Sequence, residues 1–425
     1  MDPSAIDVRP SNDLSNPLSR HFSAGPQHYS ATHARQCKTW CGWRRIVVNL
    51  TPAWFSVTTG TGITSILIHN LPYNGRWLYY ISIVLFALNI AIFLLLSVMS
   101  VLRYTLFHGM WSSMLAHPVQ SLFLGTIPMG LATIINMIVF VCVPAWGSWA
   151  AILAWVLWWI DVILALGTNL LLPFRIMYKH ESQLSSMTAT WLLPIVATIV
   201  AAATGSIVAG VLPNDQHALW TVIVSYILWG CGVPLALFTM VIYFHRLTMY
   251  SLPPREVIVS VFLPLGPIGQ GAFGIMTLGH DALTIFNRTQ TIPLVEDSLG
   301  GRIFYINGLF IGIIMWGFGI VWLFFAIASL SRTRFPFNLG WWGFTFPLGV
   351  YATATVQISK ELPSLFFKVL GTIFSLAVVL LWAVVSVGTV WNSLSGELFV
   401  APCVKEWEIK QVEKENQKQE GDTSV

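Results

Sequence analysis

The polar residues that could act on a solute are few, and they sit among small, apolar neighbours. Gln270 lies in the run LPPREVIVSVFLPLGPIGQGAFGIMTLG, residues 252–279, after Pro264 and Pro267 and inside the series Gly266, Gly269, Gly271 and Gly274. Thr58 and Thr59 stand in the run TTGTG, Thr198 in ATIVAAATG and Thr353 in YATATV. Amides and hydroxyls of this kind stabilise an oxyanion weakly, which favours throughput, whereas a fixed lysine in low dielectric would hold it. Each has an ordinary alternative: Gln270 can bond a carbonyl freed near Pro267, and a threonine can bond its own helix. Asp161 is the one acid well inside an apolar segment, where it either carries a proton or makes a structural hydrogen bond. No paired acid and base, no GxxxxGK[ST] loop and no metal-ligand spacing accompanies these residues, so neither catalysis, a nucleotide drive nor a cofactor is expected. The five cysteines, Cys37, Cys41, Cys142, Cys231 and Cys403, match neither a zinc site nor a disulfide framework.

The elements that must position these residues are transmembrane helices. Hydrophobic residues make up 55% of the 425-residue chain and charged residues 9%, more apolar than a soluble core requires, and the net charge of +4 gives no nucleic-acid footprint. Apolar runs predict about ten spans, near 47–68, 77–102, 118–143, 149–172, 189–212, 219–244, 252–279, 303–330, 337–358 and 365–390. They define a transport domain over 46–392, with a soluble tail before it (1–45), lacking a secretory leader, and another after it (393–425). The odd spans share a layout in which Pro52, Pro128, Pro194, Pro267 or Pro347 precedes two turns of glycine, alanine or threonine, while the even spans are bulkier. Small residues let helices approach, and backbone freed by proline is tolerated only against protein or water. This predicts an all-α protein of five helical hairpins, the odd helices lining a lumen and the even helices shielding it from the lipid bilayer.

Charge sets the orientation. With both termini cytoplasmic, the inner connections carry Arg103, Arg175, Lys179, Arg246, Arg255, Arg332 and Arg334, opposed by Glu181 and Glu256. The outer ones mix Arg76, Arg288, Arg302 and Lys360 with Asp215, Asp281, Glu296, Asp297 and Glu361. Asn287 heads an N-glycosylation sequon whose outer placement agrees. Arg246 and Arg255 become candidates for a basic inner mouth.

The run SVFLPLGPIGQGAFGI, following LPP, closely resembles the fungal sulfite efflux pumps of the tellurite-resistance and dicarboxylate transporter family, relatives of the plant guard-cell slow anion channels. The resemblance covers about residues 45–395 by hydropathy layout. It implies a homotrimer in a fungal plasma membrane, each subunit with its own pore, exporting sulfite as the monoanion (bisulfite) and thereby detoxifying it. It also implies a phenylalanine gate on the ninth helix, assigned to Phe346 in GWWGFTFP, or to Phe344 if the register is shifted by two. A malate or dicarboxylate carrier and an anion channel of the same family are the alternative activities.

Overall fold

Small residues and prolines sort the helices into two rings. The structure, a computed structural model, describes residues 42–179, 183–292 and 299–399 with positions 401, 404 and 407. The amino-terminal tail to residue 41, Lys179's side chain, Glu181, Glu296, Asp297 and most of the carboxyl-terminal tail lie outside the described residues. The chain divides into residues 1–46 and residues 47–425, and the second unit carries all the long helices. These are α1 (Ser56–His69), α2 (Arg76–Leu106), α3 (Ser121–Trp146), α4 (Ser148–Lys179), α5 (Ala189–Ala209), α6 (Asp215–Tyr250), α7 (Arg255–Arg288), α8 (Leu299–Ser331), α9 (Trp342–Glu361) and α10 (Leu365–Leu394).

The odd helices form the inner ring: α1 touches α3, α3 touches α5, and so on through α7 and α9 back to α1. Each even helix packs on the odd helix before it, which makes the five hairpins. The most apolar stretches of α3, α5 and α7 are 72, 94 and 100% buried, against 22 to 39% for the even helices. Of the ten expected spans, eight are long and apolar enough to cross a membrane. The other two are α1, with 14 residues, and α9, whose glycine, alanine and threonine lower its hydropathy. Both are inner helices. A helix shielded by neighbours needs no continuous apolar surface, and α1 is buried from Ser56 to Ile68.

The prolines do not kink the inner helices where the small residues follow them. Each inner helix opens with a 3-10 turn, at Pro52–Phe55, Ser121–Gly125, Ala189–Leu192, Arg255–Phe262 and Leu339–Trp341. Pro128, Pro194 and Pro267 then fall in the first turn of the α-helical stretch, where a missing N–H costs nothing. Pro347 alone lies within an inner α-helix, as its sixth residue. The prolines therefore mark where the inner helices start rather than where they break.

A belt of side-chain donors ties each hairpin to the next. Trp158 on α4 donates its indole N–H to the Ala201 carbonyl on α5 at 2.8 Å, and Trp229 on α6 donates to the Gly271 carbonyl on α7 at 3.0 Å. Trp316 on α8 donates to Thr355 Oγ1 on α9 at 2.9 Å, and Trp382 on α10 to Thr61 Oγ1 on α1 at 3.1 Å. Asn89 on α2 completes the circle, its Nδ2 donating to Thr133 Oγ1 on α3 at 3.2 Å. Every outer helix thus holds the inner helix of the following hairpin.

Candidate functional site

The five inner helices run in one direction, so the ring has an amino end, where they begin, and a carboxyl end. A cavity opens at each. The amino-end cavity, about 490 Å³, is bordered by Thr59, Thr126, Thr190 and Ser260 from the helix starts, with Glu256 and Glu397 at its rim. The carboxyl-end cavity, about 160 Å³, is bordered by Asn136, Gln270, Thr353, Gln357 and Lys360. Of all the residues that line the two, only Phe346 belongs to both. Its aromatic ring, 6% exposed, borders both cavities.

Phe346 is held on the axis by the helices beside it. A Cβ on Gly269 of α7 would lie 2.7 Å from the Tyr351 backbone nitrogen, so the α7 and α9 backbones meet where only hydrogen fits. On the other flank a Cβ on Gly60 of α1 would collide with Thr345 and Trp342 of α9. Clamped on both sides, α9 turns one face to the lumen: Phe346, Val350, Thr353, Gln357 and Lys360, spaced by three or four residues, all line the carboxyl-end cavity.

The other residues singled out by the sequence divide sharply. Phe344 is buried away from the cavities, edge-on to Phe262 with ring centroids 5.0 Å apart, a packing residue where a gate was the alternative. Gln270 faces the carboxyl-end cavity, is 5% exposed and makes no side-chain hydrogen bond among the described residues, so the freed-carbonyl role is not filled. Thr59 and Thr353 line the amino-end and carboxyl-end cavities respectively, each hydroxyl donating to its own helix, to Ser56 O at 2.8 Å and Gly349 O at 3.0 Å. Thr58 and Thr198 do not join them. Thr58 is pressed against Gly130 of α3 and Thr198 against Gly232 of α6, and both are wholly buried.

The basic inner mouth expected from Arg246 and Arg255 is not what the amino-end cavity presents. Arg246 is 4% exposed and its guanidinium donates to the Ser251 and Ser185 carbonyls at 2.6 and 3.0 Å, fastening two connections together. Arg255 is exposed outside the cavity, and its neighbour Glu256 borders it instead. Asp161 is fully buried on α4, off the axis, and neither carboxyl oxygen meets a hydrogen-bond partner among the described residues. Asn287 is exposed at the carboxyl end of α7. No cluster of three or more metal-ligating side chains occurs among the described residues.

Two features escaped the sequence reading. Asn136, which precedes a π-helical turn at Ile138–Cys142, opens onto the carboxyl-end cavity. Lys360 does so as well, although its place near a predicted loop made it look like an ordinary surface charge. The 3.6-residue spacing from Phe346 was the available signal for Lys360.

The geometry is that of two cavities entering one ring of helices from opposite ends, the amino-end one larger, with Phe346 bordering both. Against known proteins, the voltage-dependent anion channel family (SLAC1) matches residues 49–390. The chain is 53% identical over 353 residues to the sulfite efflux pump SSU1 of Arthroderma otae, covering 83% of this chain and 93% of that protein. It is 30% identical to the Candida albicans protein of the same description, with 81% and 74% covered, and 21% identical to the malic acid transport protein of Schizosaccharomyces pombe, with 79% and 76% covered.

Proposed function

Because the chain belongs to the SLAC1 family of voltage-dependent anion channels, we propose that it exports sulfite, as the monoanion, across a fungal plasma membrane and so lowers the cytoplasmic sulfite load. The observation that carries the transport reading is Phe346, the one residue shared by two cavities that enter the ring from opposite ends. Sulfite is favoured over malate by the chain's much greater similarity to the fungal pumps than to the malic acid protein.

In this reading all ten helices cross, with the amino end of the ring and both chain termini in the cytoplasm. Arg103, Arg175, Arg246, Arg255, Arg332 and Arg334 gather at that end, as the inside excess of basic residues requires. An anion entering there meets the starts of five helices, whose unpaired N–H groups carry partial positive charge. That field replaces arginine side chains: it is weak, shared and does not trap. Phe346 bars the corridor at rest and swings aside to pass one anion. An interior-negative potential of about 100 mV favours outward movement of a monoanion by about 2.3 kcal/mol, so no nucleotide is needed. The family resemblance extends this to a homotrimer with one corridor per subunit, and Asn287, at the external end, is its glycan acceptor.

The test is sulfite tolerance of cells with and without the gene, measured beside malate uptake. Tolerance should fall on deletion. Unchanged tolerance with altered malate uptake would instead assign the chain to dicarboxylate transport.

A further inference from the structure

The two mouths of the ring are not equivalent electrostatically. Inner helices that all run one way present positive ends to the amino-end cavity and negative ends to the carboxyl-end cavity, about half an elementary charge each before screening. An anion that has passed Phe346 therefore leaves through a mouth whose backbone repels it. Something at that end must offset this repulsion.

The carboxyl-end cavity contains the means. Lys360 borders it, and among the described residues the lysine has no ion pair, Arg288 with Asp215 at 3.8 Å being the ion pair found there. Its chain neighbour Glu361 is engaged elsewhere: the Tyr305 hydroxyl and the Gln357 amide each donate to one of its oxygens at 2.7 Å. Asp281, at the same end of the ring, accepts from Ser206 Oγ at 2.5 Å. Two amides open onto the same cavity without a side-chain hydrogen bond among the described residues, Gln270 at 5% exposure and Asn136 at 6%. A cation with no direct ion pair, whose acidic neighbour Glu361 is already shared with two hydrogen-bond donors, and two amides whose NH2 groups can donate, around a space of about 160 Å³, suit a small singly charged oxyanion with its few remaining waters.

We propose that Lys360, with Asn136 and Gln270, forms an anion subsite on the far side of Phe346, and that this subsite sets how readily the transported anion leaves. On α9 the lysine stands 14 residues beyond the gate on the same face, about 21 Å along the helix. It is far enough away to draw an anion past the ring without holding it in the narrow part. The subsite deepens the export reading and uses its orientation, but the presence of the site can be examined without any flux.

Purified protein would be acylated with an amine-reactive reagent in nitrate or in gluconate at equal ionic strength, and labelling of Lys360 and Lys368 read by mass spectrometry. Lys368, lying over the Tyr73 ring at 4.7 Å, is the control on a neighbouring helix. A bound anion keeps the ammonium protonated, so nitrate should slow labelling of Lys360 about two- to fivefold, the scale of an exposed ion pair, and leave Lys368 unchanged. Sulfite flux in sealed vesicles should fall by a similar factor in Lys360→Gln and be restored in Lys360→Arg. Equal labelling of Lys360 in both salts, or full flux in Lys360→Gln at normal protein level, overturns the subsite. Shielding of Lys360 in vesicles that pass no sulfite would instead sink the export reading and leave the site standing.

Discussion

The inner and outer rings solve opposite problems with the same secondary structure. The outer helices are rich in large side chains and have two kinds of face: a methyl group added at Gly230 on α6 or Gly317 on α8 would meet nothing within 4 Å, whereas one at Gly232 on α6 or Gly308 on α8 would strike Ile199 or the Ile275 carbonyl of the inner helices. The inner helices are closely packed where they meet one another. Gly269 meets backbone, and the hydroxyls of Thr58, Thr59, Thr198 and Thr353 are each returned to their own helix, leaving few polar groups facing the lumen. The difference teaches that the proposed weakly binding corridor depends on tight packing around it: in that reading, with few strong donors inside, selectivity would come from where the backbone ends point, and that direction is only as good as the fit between helices.

The comparison breaks most visibly at Gly269. Gly269→Ala forces the α7 and α9 backbones apart, an overpacking cost of about 1–3 kcal/mol or more, and should remove most folded protein from the membrane, whereas Gly230→Ala should leave it unchanged. Size-exclusion profiles of the two variants decide this, and equal yields would contradict the clamp. Next comes the partition. Phe346→Ala should raise anion conductance about tenfold, which corresponds to about 1.4 kcal/mol off the barrier, while Phe344→Ala should lower protein yield without opening the corridor. Currents normalised to surface protein separate the two, and the reverse result would move the gate to Phe344.

A smaller effect tests the belt between the rings. Trp229→Phe removes the indole donor to Gly271 but keeps most of the ring, so it should cost about 1 kcal/mol, read as a midpoint lowered by a few degrees in thermal unfolding with flux unchanged. The smallest change belongs to Asp161→Asn. Its carboxyl stands behind the corridor with no partner among the described residues, so transport at pH 5 and pH 7 should match the parent. Loss of pH dependence in this variant would show that the acid couples protons to export.

The ring architecture could be read from the chain because lipid leaves a compositional mark: spans headed by Pro128, Pro194 and Pro267 and filled with small residues cannot face hydrocarbon. The direction of individual polar groups could not. Thr58 and Thr59 are adjacent and alike, yet Thr59 lines the cavity and Thr58 meets Gly130, because azimuth around a helix is set by neighbours far along the chain. Arg246 illustrates the same limit, since a cationic residue near a helix end can serve carbonyls as readily as a pore. Lys360 shows the converse: a residue close to a helix end reached the corridor because its spacing from Phe346 was helical. The indole belt had no local signature, although an abundance of tryptophan, 20 residues, was plain.

That belt has a consequence for how the protein is made. Its final link joins Trp382 to Thr61, 321 residues apart, so the ring cannot close until the last helix has left the ribosome. Until then the hydroxyl-bearing α1 lacks the neighbour that will cover it, and during synthesis it must wait beside the translocon or an assisting insertase rather than in open lipid.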